Sequence, residues 1–139
     1  MRSLLIAGAS SLLLTLGMSS IPAPSFAQAT NIQDISRSVP RSRVTFAKGK
    51  SSTVINGVEN RVYVLKAKAG QKLTLKVNNL GARAGVTLYN ANGKIVKNFG
   101  GFGGEGQSFT YKLPANGDYY ILGYAGPTYH SYEFAVSIK

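Results

Sequence analysis

The chain has 139 residues, with 16 lysines and arginines against five acids, for a formal charge of +11, and it has no cysteine. That length suits one domain. The missing cysteines exclude disulfide staples, thiolate–zinc sites and cysteine nucleophiles. The charge favours anionic partners whose binding weakens with salt.

Residues 1–27 read as a cleaved signal peptide. Arg2 gives a positive start, Ser3 to Met18 an apolar centre, and Pro22 and Pro24 break any helix. Ser25, Phe26 and Ala27 put small residues where a signal peptidase reads, so the exported chain starts at Gln28. Export directs the protein to the periplasm or outside the cell. It also argues against nucleic acid as the partner of the basic charge. Residues 28–41 are polar and without a period, which predicts a flexible lead-in.

Residues 42–139 alternate as an all-β domain. "RVTF" starts a strand near Arg43, and "NRVYVLKA" (Asn60 to Ala67) is rich in β-branched and aromatic residues. In "QKLTLKV", Leu73, Leu75 and Val77 share one face, and Lys72, Thr74 and Lys76 the other. "VTLY" and "KIV" flank "NANG", whose Asn92-Gly93 pair predicts a hairpin. "QSFTYKL", "DYYILGY" and "YHSYEFAVSIK" follow, separated by "PANG" and "AGPT". In the last of these Tyr132, Phe134, Val136 and Ile138 share a face. About eight short strands and no helical period predict one antiparallel β-sandwich, jelly-roll-like.

"GFGGEG" (Gly101 to Gly106) satisfies the dinucleotide-binding pattern G-x-G-x-x-G, but it stands between two strands and no helix follows it. It reads as a glycine loop. Phe102 at its centre is either a contact residue or a cover for the sheet edge. The only histidine, His130, has Glu133 as its one acidic neighbour in sequence, and the five acids are scattered singly. Neither pattern supports a catalytic dyad, a metal site or a cofactor, so the domain reads as non-catalytic. "NGD" at Asn116 to Asp118 reads as turn chemistry, not as a calcium site.

Five of the eight tyrosines fall between Tyr119 and Tyr132. Tyr119 and Tyr132 are expected in the core. Tyr124 and Tyr129, flanking "AGPT", are expected at the surface, where tyrosine offers rigid contact area. Lys72 and Lys76, with Lys94 and Lys97 on a neighbouring hairpin, form the expected basic surface for an anionic envelope polymer.

The chain resembles two groups of exported β-sandwich domains. "LPANGDYYI" (Leu113 to Ile121) is similar to the closing motif of the pre-peptidase C-terminal domain, a non-catalytic module of secreted enzymes. Nearly the whole exported region resembles the periplasmic inhibitors of g-type lysozyme. That likeness is carried by Val44, Phe46, Lys48, Gly49, Ser51 and Ser52, then by Gly57, Tyr63, Lys68, Gly70 and Gln71. It continues in Leu113, Pro114, Ala115, Gly117, Tyr119 and the closing "IK". The resemblance implies a protein partner, a lysozyme, plugged by loops. The loop in that position here is "YAGPTYH", with Tyr124, Tyr129 and His130; the family's own loop is longer and carries arginines. Ser51 and Ser52 in "SSTVING" are expected to add glycan-like hydroxyls from a neighbouring turn, provided both loops share one end of the sandwich. The alternative is a module that binds envelope glycan or anionic polymer.

Overall fold

The computed structural model describes residues 31–35, 37–100, 106–126 and 130–139. Residues 1–27, expected from the sequence to be an export segment, lie outside them. The described residues form nine strands: β1 Arg41–Arg43, β2 Ser52–Gly57, β3 Arg61–Ala67, β4 Lys72–Leu80, β5 Gly85–Tyr89, β6 Ile95–Gly100, β7 Ser108–Lys112, β8 Gly117–Tyr124 and β9 Tyr132–Ile138. They form two sheets, ordered β2-β9-β4-β7 and β1-β3-β8-β5-β6.

The strand order is that of a jelly roll. Strands β2 and β9, β3 and β8, β4 and β7, and β5 and β6 all pair antiparallel. This is one long antiparallel ribbon rolled up so that β4 also meets β9, and β5 also meets β8. The tip of the ribbon is the Asn92-Gly93 turn. There Gly93 takes φ 85°, and the Asn90 side chain accepts from the N–H groups of Asn92 and Lys94 at 2.9 and 3.0 Å. The turn chemistry thus sets the register from which the roll begins.

The period-two reading holds along β4, β7 and β9, whereas β5 is buried at every position, with Tyr89 covered by the segment before the domain. Leu73, Leu75, Val77, Phe134 and Val136 are fully buried between the sheets, with Leu88, Tyr119 and Ile121 facing them. Lys72 and Lys76 point outward from β4, and Tyr119 and Tyr120 take opposite faces of β8. The Tyr119 hydroxyl donates to the carbonyl of Ala115, tying the strand to the loop that precedes it. This is the role of a tyrosine corner.

Three expectations are corrected. The segment before the domain is not a free lead-in. Ile32, Ile35 and Val39 are buried with Val62, Tyr89 and Leu122 in a second apolar cluster on the outer face of the five-stranded sheet. A 3-10 turn, Ile32–Asp34, is capped by Asn31, and the Ile32 N–H donates to the Gly93 carbonyl at 2.7 Å. Spaced apolar residues in a polar stretch hid this in the sequence. Next, the "RVTF" strand ends where it was expected to begin. β1 lies parallel to β3 as an added edge, after which Val44 and Phe46 pack against the main core. Finally, "SSTVING" is not a turn. It is the edge strand β2, whose inward residue Ile55 packs against the core while Val54 stays 56% exposed.

Candidate functional site

The rolled ribbon gathers its loops at two ends, and the predicted binding residues divide between them. At the first end lie the close of β8, the start of β9, the β2–β3 turn and residues 81–84. The strands flanking "GFGGEG" also open there: Gly100 pairs with Gly85, and Gly85 with Tyr124. Phe102 and Tyr129 themselves fall outside the described residues. At the second end lie Ser51, Lys72, Lys112 and Ile138.

Tyr124 and His130 are therefore brought together, both half-buried, where β8 turns toward β9. Ser51 and Ser52 are not brought to them. Antiparallel pairing sets Gly57 opposite Tyr132, and Ser52 opposite Ser137 at the far end. Five residue steps of strand put Ser52 ~17 Å from that first end. The single epitope expected from these loops does not form. Lys72 is also at the far end, and Lys76 is mid-strand on the outer face. Lys97 is in neither place. Its ammonium lies 5.7 Å and 5.9 Å from the ring centroids of Phe99 and Phe109, closing the seam between edge strands β6 and β7.

The first end has a rigid base. Ala125 N–H donates to the Asn60 side chain at 2.8 Å, and His130 N–H to the Ala125 carbonyl at 2.7 Å, so the loop is closed at its neck. Gly126 takes φ 76°, and a Cβ there would meet the Arg83 carbonyl oxygen at 2.9 Å. His130 sits so close over Gly81 that a Cβ would lie 2.6 Å from the histidine's own Cβ. Beneath them Tyr132 donates to the Glu59 carbonyl at 2.8 Å and shares a bond with the Tyr63 hydroxyl at 2.9 Å. Burial and this bond push the Tyr132 hydroxyl well above the usual tyrosine range, and burial also raises Tyr63. Both phenols stay neutral, as fixed hydrogen-bonding groups.

Two cations at this end were not legible in the sequence. Arg83 is exposed on the 81–84 turn, against Gly126. Arg61 is bonded to Glu59 and Ser42, both at 2.6 Å. The loop "YAGPTYH" has no arginine, but the fold supplies one from a turn remote in sequence. Only the β5–β8 pairing, which sets Gly85 beside Tyr124, brings them together.

The described residues contain no group of three or more His, Asp or Glu able to hold a metal, and no helix long and apolar enough to cross a membrane. Among the described residues this end of the jelly roll combines a loop hydrogen-bonded at its neck with aromatic and cationic side chains, and its close titratable pairs are the Arg61–Glu59 ion pair and the two bonded phenols of Tyr63 and Tyr132. By class this is an all-β jelly-roll sandwich.

No family model and no curated protein matches the sequence. Solved structures do. The chain is similar to PliG of Aeromonas hydrophila, a periplasmic lysozyme inhibitor of g-type lysozyme. Identity is 26%, covering 73% of this chain and 97% of that one, with a TM-score of 0.56. It is also similar in fold to a mutant of the Escherichia coli PliG, at 23% identity over 73% and 99%, with a TM-score of 0.51. The pre-peptidase C-terminal domain of a Bacillus anthracis collagenase aligns at 15% identity over 76% of this chain with a TM-score of 0.46, too remote to argue from. The PliG proteins are the group that the strand and turn residues already resembled, and they are inhibitors; no enzyme family is indicated.

Proposed function

We propose that this protein is an exported inhibitor of a g-type lysozyme, and that it binds through the end of the sandwich where β8 turns to β9. The observation that carries this reading is the likeness to the Aeromonas hydrophila inhibitor across nearly all of that protein's length. The export segment of residues 1–27 suits a periplasmic or secreted partner.

In this reading the loop from Tyr124 to His130 enters the glycan cleft of the lysozyme. Its closed neck reduces the entropy lost on docking. Tyr124, Tyr129 and His130 occupy sugar subsites, Arg83 offers a donor pair to an acidic side chain of the cleft, and Phe102 contacts the rim. The test is lysis of peptidoglycan by g-type lysozymes with and without the purified protein. Inhibition at micromolar concentration is expected. Interface energy concentrates in few residues, so Tyr129→Ala should cost about 2 kcal/mol, or roughly 30-fold in the inhibition constant. Arg83→Ala should weaken inhibition, and Ser51→Ala with Ser52→Ala should not. Unchanged lysis by several g-type enzymes rejects the reading.

A second reading, binding of an anionic envelope polymer, draws on a different observation. On the outer face of the β2-β9-β4-β7 sheet Lys72 stands directly opposite Lys112, with Lys76 two same-face positions along, beyond Thr74. Directly opposed like charges cost stability, and an anion relieves that cost. Affinity for such a polymer should fall steeply as salt rises.

A further inference from the structure

At the second end of the sandwich a cleft of about 550 Å³ opens between the segment before β2 and the β3–β4 and β7–β8 loops. That is the size of a small-ligand site. Its floor is apolar, made by Phe46, Ala67 and Ile138. Its walls carry Lys50, Lys66 and Lys68, all exposed. No acid lines it. The nearest in sequence pairing is Asp118, opposite Lys66 on β8, and both its oxygens are already held by Arg43 at 3.2 and 3.3 Å.

The remaining polar groups have a common sense. Asn116 lines the cleft, and its side-chain oxygen accepts from Ala69 N–H at 2.8 Å. Gln71 also lines it, and its side-chain oxygen accepts from Lys68 N–H at 2.8 Å. With both oxygens fixed on the backbone, each amide has its NH₂ group left for a ligand. Three ammonium groups, two amide NH₂ groups and the Ser51 hydroxyl thus surround an apolar floor. The cleft offers many donors and almost no acceptor.

From this one-sided chemistry we infer that the cleft is a binding site for an anionic saccharide, whose carboxylate or phosphate meets Lys50, Lys66 and Lys68 while a sugar face lies on Phe46. Ring hydroxyls accept from Asn116 and Gln71. An open, partly apolar cleft with amide donors suits a sugar ring better than a free inorganic anion. The site is distinct from the lysozyme-binding end. It deepens the polymer reading by giving it a place other than the open face of Lys72 and Lys76.

The experiment titrates the protein, purified after expression of its full-length sequence, with three tetrasaccharides by calorimetry: tetragalacturonate, phosphorylated maltotetraose and neutral maltotetraose. Saturable binding is expected for one or both anionic sugars and none for the neutral one. The anionic sugar that binds more tightly identifies carboxylate or phosphate as the natural group. Affinity should fall at least ~10-fold between 50 and 500 mM salt. The triple change Lys50→Gln, Lys66→Gln, Lys68→Gln should weaken binding at least ~30-fold with an unchanged far-UV spectrum, because all three side chains are exposed. Lysozyme inhibition by that variant should be unaffected, which separates this site from the other end. Four results would each overturn the inference: no binding of either anionic sugar, equal binding of maltotetraose, binding kept by the triple variant but lost on Lys72→Gln with Lys76→Gln, or tighter binding of a single-stranded oligonucleotide.

Discussion

Tyr132 does more than fill the core. Its ring lies where side chains at Gly57 and Gly123 would otherwise be, and its hydroxyl holds the β2–β3 turn through the Glu59 carbonyl. Tyr132→Phe leaves that carbonyl and the Tyr63 hydroxyl short of a partner, and should cost about 1–3 kcal/mol by chemical denaturation. Gly123→Ala drives a methyl group into the ring and should cost at least as much, on the order of 1–3 kcal/mol or more. The raised ionisation of Tyr132 and Tyr63 has a definite sign. Above about pH 10 the unfolded chain loses these protons while the folded chain keeps them. Stability is therefore fully present below about pH 10 and falls as pH rises beyond it. An alkaline denaturation series should show this fall, and Tyr132→Phe should make it shallower. Gly123 was legible as a strand glycine but not as the seat of a tyrosine ring, because that contact is made across the sandwich.

At the scale of elements, the segment at residues 31–41 is the main departure from the linear reading. Polar composition predicted a flexible lead, yet three apolar side chains spaced along it close the second cluster. Each such burial contributes roughly 1.5–3 kcal/mol, less the cost of ordering the chain. A chain beginning at Arg41 should unfold at a lower temperature by several degrees, measured by calorimetry; an unchanged midpoint would mean the segment adds nothing. The same truncation bears on Tyr89. Burial, with Asp34 nearby, pushes its hydroxyl up to about 12. Removing the segment should bring it back toward the ordinary value in a spectroscopic alkaline titration. Gly93 joins the two elements. A Cβ there would lie 2.9 Å from both the Asn31 side-chain oxygen and Ile32, at a φ that disfavours a side chain. Gly93→Ala should therefore disturb the hairpin tip and the docked segment together, by on the order of 1–3 kcal/mol.

For the whole molecule, the rolled ribbon separates two chemistries by the length of its strands. One end presents Tyr124, His130 and Arg83, and the other the lysine-lined cleft. The separation predicts independence. Saturating the cleft with an anionic sugar should leave the inhibition constant for a g-type lysozyme unchanged within twofold, since additive behaviour is expected for sites more than about 10 Å apart. Inhibition and sugar binding should also part with salt. The sugar site loses affinity throughout, whereas an aromatic-led loop contact loses little.

Much of this was written in the order of residues. Alternation told which side chains of each strand face inward, since successive side chains point to opposite faces whatever the strand pairs with. The Asn92-Gly93 turn, the tyrosine pair buried at Tyr119 and Tyr132, and the strands around "GFGGEG" all follow from local geometry. Which residues share an end does not. Ser51 and Tyr124 stand at opposite ends, because β2 runs antiparallel to β9 and carries its serines away from Tyr124. Arg83 and Gly126 meet, as do Asn116 and Ala69, only because strands distant in sequence are paired. Local patterns are set by each residue's own neighbours along the chain; a site built from several loops is set by strand order and register, which only the packed sandwich decides.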